Sequence, residues 1–337
     1  MINWTKSSSS NDDIVLSSRI RLARNVKGTP FPNKLDKDGA RGLSKKIIDS
    51  FLKDNNENFS SVNLWENDKL NNRVYYEKHL ISKKLINNRE ISSFIYNRDE
   101  TVSLMINEED HLRIQTITAG LNLKEAYSEA DKIDDMLEER LDYAFHESLG
   151  YLTACPTNIG TGLRASVMIH LPAITSSNKI KEVSNILNRV GLVIRGSYGE
   201  GTEVLSNLYQ ISNQVTLGLS EEDLIKNLEG IVNEVINQEK KARDNIYENY
   251  RYELEDKIMR SLSILKSSVL ISNKEALELL SNVRMGVEMG IIDIEKEKLN
   301  SLLYKISSPV IISEEGKGLS EKDKNIIRSK ILKETLR

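Results

Sequence analysis

Asn107-Glu108-Glu109-Asp110-His111-Leu112-Arg113 concentrates more chemistry than any other stretch of the chain. Two adjacent carboxylates, Glu108 and Glu109, stand four or five residues before an arginine, at the end of the strand-like run Thr101 to Ile106. A carboxylate pair beside a fixed cation suits a site that holds a cationic substrate against an anionic one. Taken alone, the heptapeptide reads more simply as a solvated acidic turn. Four further segments of the same chemical character alter that reading.

Five arginines sit in loops or at strand ends beside small residues. Arg19 and Arg21 lie in Ser17-Ser18-Arg19-Ile20-Arg21, where alternation on an extended strand points both side chains the same way. Arg113 closes the acidic heptapeptide and Arg164 follows Gly160-Thr161-Gly162. Arg195 opens Arg195-Gly196-Ser197-Tyr198-Gly199-Glu200-Gly201. Guanidinium groups stay charged at any working pH and grip phosphate oxygens with a planar fork. Singly, each of these arginines reads as a surface salt bridge; converging, they would clamp a triphosphate. No GxxxxGK[ST] occurs, which excludes a P-loop. Glu109 and Glu200 each stand near one of the arginines. Two glutamates can hold a guanidinium by paired hydrogen bonds and present one nitrogen to a γ-phosphorus, and phosphoryl transfer asks mostly for such alignment. A glutamate there could also accept the outgoing proton.

Cys155, between Ala154 and Pro156, reads either as buried packing or as a reactive thiol. His79 reads either as a nucleotide contact or as a surface histidine. Gly160-x-Gly162-x-x-Ala165 has the outline of a dinucleotide fingerprint, but it leads into the strand-like Val167-Met168-Ile169 and not into a helix. The four histidines and single cysteine lack zinc-ligand spacing.

These residues need elements to position them. Arg73–Tyr76, Ser93–Tyr96, Thr101–Ile106 and Leu112–Thr118 read as strands, and Asn97–Glu100 as a hairpin connection. From Leu123 the apolar period changes to three or four, predicting a helix to about His146. A Pro/Gly loop (Cys155–Gly162), a strand (Ala165–Leu171), a helix (Lys179–Val190) and strands at Leu192–Arg195 and Leu208–Leu217 follow. Ser220-Glu221-Glu222-Asp223 is a capped helix start. Beyond it 224–236, 242–265, 274–289, 294–306 and 323–336 all carry a helical pattern. This organisation predicts a mixed α/β domain over 1–235 and a helical domain over 240–337.

At 337 residues the chain is long enough for two cores. A net charge of −3 argues against nucleic acid as the main partner. One cysteine excludes an intramolecular disulfide. No apolar run approaches a membrane span, and the polar stretch from Met1 to Asp13 has no signal core. The expectation is a cytoplasmic protein.

Together the five segments resemble the ATP:guanido phosphotransferase superfamily, which includes the arginine and creatine kinases. The acidic heptapeptide, Cys155-Pro156-Thr157-Asn158-Ile159-Gly160-Thr161, Ser17 to Arg21, Arg164-Ala165-Ser166-Val167-Met168 and Arg195 to Gly201 carry the match, in the family's order. Within it the chain is most similar to the McsB-type protein arginine kinases. The small-molecule kinases carry a helical domain before the Ser-Ser-Arg motif, whereas 16 residues precede it here. The helical tail, Tyr198–Gly201 and Tyr209–Gln214 point the same way.

The resemblance implies an α+β fold: a phosphagen-kinase-like catalytic domain with a mostly antiparallel sheet flanked by helices, plus an all-helical C-terminal domain for dimerisation or regulation. It implies ATP with Mg2+, the metal held largely by phosphate oxygens and water. Nucleotide contacts would come from Ser17, Ser18, Arg19, Ile20 and Arg21, from His79 and Arg113, from Arg164, Ala165, Ser166, Val167 and Met168, and from Arg195 through Glu200. Glu109 and Glu200 would grip the substrate guanidinium, with Cys155 beside it. The implied activity is phosphorylation of arginine residues in proteins, in stress response and tagging for Clp proteolysis. An activator protein, the Clp machinery and a second copy of the chain are the implied partners, with no nucleic acid and no membrane. A kinase of free arginine and a silent ATP-binding adaptor are the rivals. One motif departs: the phosphoarginine-binding Arg-Asp-x-x-Arg-Ala of such proteins corresponds to Lys322-Asp323-Lys324-Asn325-Ile326-Ile327, which retains only the aspartate.

Overall fold

Alternation along Val15–Arg24 (β1) divides its side chains between two faces, and the whole sheet is built outward from that strand. A computed structural model describes residues 14–55, 57–196 and 206–337. After β1 come α1 (Lys37–Asn55), β2 (Phe59–Asn63), α2 (Lys69–Glu77) and α3 (Lys83–Asn87). Three strands follow, β3 (Ser93–Asn97), β4 (Val102–Ile106) and β5 (Leu112–Ala119), then α4 (Leu123–Glu138). A small hairpin, β6 (Phe145–His146) with β7 (Gly150–Tyr151), precedes β8 (Leu163–His170). The sheet is completed after α5 (Pro172–Ser176) and α6 (Ile180–Arg189) by β9 (Leu192–Gly196) and β10 (Leu208–Asn213). The strand order is β2-β3-β4-β5-β1-β8-β10-β9, and neighbouring strands are antiparallel throughout.

One face of this sheet is apolar. Ile20 and Leu22 of β1, Ile114 of β5, Ala165 and Val167 of β8 and Ile211 of β10 are buried there with residues of α1 and α4. Burying each large aliphatic side chain contributes about 1.5–3 kcal/mol, so this layer fixes the register of every strand it includes. The helix expected to reach His146 stops at Glu138. Leu141 and Tyr143 still enter the core, but from the irregular segment after the helix, where Tyr143 bridges to Val26, and Phe145–His146 is strand. The strand expected at 73–76 is instead the second half of α2, which Asp68 caps by accepting from Leu70 N. Tyr75 packs there edge-on against Phe94, its ring centroid 4.9 Å away, so tertiary packing overrides the β preference of Val-Tyr-Tyr.

The remaining helices are α7 (Glu221–Asn249), α8 (Arg251–Ser267), α9 (Asn273–Glu288), α10 (Lys296–Lys305), α11 (Ser308–Glu315) and α12 (Glu321–Thr335). Leu228, Val232 and Val235 of α7 join the sheet's core, whereas Ala242 and Ile246 pack with Leu254, Ile258 and Met285 of α8 and α9. The expected division near 235–240 therefore falls inside one continuous helix. α8 to α10 and α12 enclose their own core around Leu265, Leu280, Val283, Leu302 and Leu332.

A buried polar network ties that helical part to the end of β8. His170 Nδ1 lies 3.2 Å from Glu288 Oε2 and its Nε2 lies 2.9 Å from Ser281 Oγ. Arg284 Nε donates to Glu288 Oε1 at 2.7 Å, and Arg243 Nη2 sits 2.9 Å from Glu288 Oε2. Glu239 accepts from Arg243 Nε and from the Ala173 and Ile174 N–H groups at the start of α5. Such a network contributes geometric definition more than net stability, because desolvating the charges offsets much of their attraction. At the start of α12, Asp323 completes a capping box with Ser320. The aspartate of the degenerate Lys322–Ile327 segment is thus engaged in starting a helix.

Candidate active site

The face of the sheet opposite the apolar core carries the clustered arginines, and antiparallel register sets them out in rows. Arg21 of β1 is opposite Gln115 of β5 and Arg164 of β8; Arg19 is opposite Ile117 and Ser166; Ser17 is opposite Met168. Arg113, beyond Gln115, is opposite Ala23. Gln210 of β10 is opposite Met168 on one side and Arg195 of β9 on the other. Paired residues share a face, so these side chains stand together over the centre of the sheet. α2 and α3 cover the flank of the same face, where Leu85, Phe94 and Met105 form a small core.

The arginines are crowded. Burial and then the neighbouring Arg113 lower the Arg19 pKa to about 10. Arg21 is pushed down by burial and by Arg19, Arg113 and Arg164, with Glu108 acting in the opposite sense. Its Nε has no hydrogen-bond partner among the described residues. Clustered guanidiniums with an unsatisfied donor are matched by a polyanion with several acceptor oxygens. Gln210 Oε1 accepts from Arg19 Nη2 at 2.6 Å, which aims that fork. His79, at φ 61°, lines the same crevice with Ser17, Ile117, Ser166, Met168 and Gln210. Its carbonyl accepts from Gln115 Nε2 at 2.8 Å, while burial and Arg19 lower its pKa to about 3, keeping the ring neutral.

At the Arg113 end of the face lie two loops. In the acidic loop Glu108 is buried and its Oε1 accepts from Arg113 Nη1 at 2.6 Å. Burial opposes the Glu108 charge, but Arg113, the Ser82 hydroxyl and the Glu109 N–H outweigh it and hold the carboxyl below its usual range. Glu108 is therefore committed to aiming Arg113. Glu109 is half-buried and pairs with Lys84 Nζ at 2.7 Å. That is a solvent-screened contact of small worth, displaceable by an incoming cation.

The cysteine loop is held beside the acidic loop by three groups to which the sequence assigns no individual role. Asp110 Oδ1 accepts from Ala154 N at 2.7 Å and from Asn25 Nδ2 at 2.7 Å. Asn25 in turn donates to Leu152 O and accepts from His111 N at 2.9 Å. Arg24 donates to Thr161 O and, through Nε and Nη2, to Asp134 Oδ2, with its Cζ 3.5 Å from the Tyr151 ring centroid. Cys155 is half-buried, its Sγ 3.0 Å from Thr157 Oγ1, and opens a short 3-10 turn over Pro156–Asn158. Gly160, at φ +109°, has no room for a side chain, since a Cβ would meet the Thr216 carbonyl.

The face thus gathers Ser17, Arg19, Arg21, His79, Arg113, Arg164, Ser166, Met168 and Arg195 from the residues expected at the nucleotide. Four others turn away. Ile20, Ala165 and Val167 are buried on the core face, and the Ser18 hydroxyl is taken by Gly120 O and Asn122 N. The strand period places their side chains there. Gly196 is paired with Tyr209 at the end of β9, while Ser197, Tyr198, Gly199 and Glu200 lie outside the described residues. Gln210, Gln115 and Ile117 join the arginines on this face, and each follows from the same alternation that selects them. Among the described residues no group of three or more acidic, histidine or cysteine side chains could hold a metal, and no helix is long and apolar enough to cross a membrane.

A cationic sheet face ending in paired acidic and cysteine loops defines a phosphotransferase acting on guanidino groups, and residues 43–242 match the ATP:guanido phosphotransferase C-terminal catalytic domain. Residues 251–337 match the protein-arginine kinase McsB C-terminal domain. The chain belongs to the protein-arginine kinase family. A protein-arginine kinase of Clostridium acetobutylicum is 56% identical, with 100% of both chains covered. One from Clostridium novyi is 53% identical over 100% of this chain and 99% of its own. Among solved structures, lombricine kinase superposes with a TM-score of 0.61 at 25% identity, covering 71% of this chain and 70% of that one. The duplicated taurocyamine kinase of Schistosoma mansoni shares the fold, with a TM-score of 0.62 over 79% of this chain and 41% of its own.

Proposed function

We infer that this chain transfers the γ-phosphoryl group of ATP to the guanidinium of arginine residues in proteins. The observation that carries the reading is the register of β1, β5 and β8, which sets Arg19, Arg21, Arg113 and Arg164 on one face beside the acidic loop. In the transfer, the bond from the γ-phosphorus to the β,γ-bridging oxygen breaks and a phosphorus–nitrogen bond forms. The guanidinium nitrogen gives up its proton to a carboxylate of the Glu109–Glu200 pair, and ADP leaves with the bridging oxygen. The arginines neutralise charge on the phosphoryl oxygens and fix the line of attack, which is where most of the rate in phosphoryl transfer originates. Glu109 and Glu200 hold the guanidinium, Glu109 exchanging Lys84 for it, and Cys155 lies alongside. Mg2+ would come with ATP rather than be held by protein ligands, and would supply neutralisation of phosphate charge.

In this reading residues 1–235 form the catalytic unit and 240–337 a helical unit that pairs two copies of the chain, with α7 shared between them. The cytoplasm is the site of action, where one cysteine stays reduced. Marked proteins pass to a Clp protease during stress, and an activator protein adjusts the rate. The deciding assay offers ATP and magnesium with free arginine in one vessel and an unstructured arginine-bearing protein in another. Phosphoarginine is read by mass spectrometry under non-acidic handling. Label on the protein alone is the expected result; label on free arginine would reassign the substrate, and no label together with no ATP binding would end the reading.

A further inference from the structure

The functional face changes character along the strands. Arg113, Arg21 and Arg164 stand at the end beside the acidic and cysteine loops, Arg19 shares the middle row with Ile117 and Ser166, and Ser17, Met168, Gln210 and Arg195 form the row beyond. From Arg21 to Ser17 is four residues of β1, or about 13 Å at the rise of an extended strand. A nucleoside triphosphate whose γ-phosphate reaches the loops and which lies along β1 is long enough to bring its base to Ile117 and Met168, both of which line the crevice.

That end of the face is not left to solvent. Tyr304 of α10 packs on Ile117, and Leu303 of α10 packs on the cluster of Leu16, Met168 and Leu208. A second connection arrives through α11, which packs along α2, the helix that leads directly to His79. Lys317, just after α11, pairs with Asp68 at the start of α2. The helical region thus meets the lining of the crevice at Ile117 and at the cluster that contains Met168, and packs on the helix that leads to His79.

We propose that α10 closes the base end of the ATP groove, with Leu303 and Tyr304 as positioning residues that hold Met168 and Ile117 against the nucleotide base. The proposal rests on the ATP reading above and adds that the helical region is part of the nucleotide site. Neither side chain touches the reacting atoms, so their removal loosens the base and leaves the phosphate contacts as they are.

The test measures KM for ATP, kcat, and the inhibition constant of inorganic tripolyphosphate against ATP, for wild type, Leu303→Ala and Tyr304→Leu in the full chain. Tripolyphosphate has the charge of the nucleotide tail and no base. The expected result is a rise of about tenfold in KM for ATP, with kcat and the tripolyphosphate constant within about twofold of wild type. An unchanged KM for ATP overturns the proposal. So does a parallel loss of tripolyphosphate binding, which would mark general disruption of the fold and not a base contact. Leu303→Met, which keeps volume and apolarity, should restore most of the affinity lost in Leu303→Ala. If wild type itself fails to bind ATP, the assignment of the groove to ATP fails, and the proposal falls with it.

Discussion

Removing the Asp110 carboxylate should slow transfer without weakening ATP binding. Its Oδ1 takes two hydrogen bonds of 2.7 Å, one from Ala154 N in the cysteine loop and one from Asn25 Nδ2 in the segment after β1. Asn25 keeps an alternative acceptor in Leu152 O at 3.0 Å, but nothing else described accepts from Ala154 N. A hydrogen bond to a charged acceptor contributes about 1.5–3 kcal/mol, and here it is the link that sets Glu109, one residue before Asp110, against Cys155, one residue after Ala154. If that energy appears as misalignment in the transition state, kcat for Asp110→Ala falls roughly 10- to 100-fold. Asp110→Asn keeps an acceptor oxygen and should lose no more than about tenfold. Steady-state kinetics on an arginine-bearing protein, with ATP varied, separates kcat from KM for ATP, which should stay within about twofold. In a double-mutant cycle with Asn25→Ala the two changes should couple by about 1 kcal/mol or more. A folded Asp110→Ala enzyme with kcat within threefold of wild type would remove the link from the mechanism.

Three further outcomes follow from the same geometry. Arg164→Lys replaces a planar fork with a point charge in the row shared with Arg21; kcat/KM for ATP should drop about 100-fold with thermal stability held, and near-wild-type turnover would take Arg164 out of the clamp. Gly160→Ala asks a residue at φ +109° to place a Cβ against the Thr216 carbonyl, so the unfolding midpoint should fall by several degrees and activity with it; a silent substitution would contradict the fit described for this loop. Stability should decline on the acid side through His170, whose pKa burial lowers to about 4. The unfolded chain takes up this proton as pH falls through about 6.5 while the folded one resists until near 4, so the folded state loses up to a few kcal/mol across that window. Glu288, held down to about 2 by His170, Arg284 and Arg243 against its burial, titrates below the window. His79 contributes in the same sense, and His170→Gln should flatten the decline measured by urea unfolding at stepped pH.

The sequence was most informative where one physical rule governs. Strand alternation and the crowding of arginines near glycines point to the face on which the arginines gather, because a period of two leaves little choice of side. The same period sends the side chains of Ile20, Ala165 and Val167 to the core and brings Gln210 to the arginine face. Local pattern misjudged Arg73–Tyr76 because Tyr75 is held by Phe94, a partner distant in the chain. α1 was missed although Ala40, Leu43, Ile47 and Phe51 are buried at helical spacing. Asp110, Asn25 and Arg24 could not have been assigned, since their roles depend on loops brought together only by the fold.

Because catalytic and core side chains alternate along β1, activity and folding are encoded in the same ladder. Inserting a single residue between Arg19 and Arg21 would turn part of the guanidinium row into the hydrophobic layer and lift the matching aliphatic residues into solvent. Such a change offers no intermediate with a sound fold and a weakened clamp. Length variation over time should therefore be confined to the connections, while β1, β5 and β8 change only by replacement. A laboratory library that respects this division can lengthen the surface turns freely and still recover enzymes.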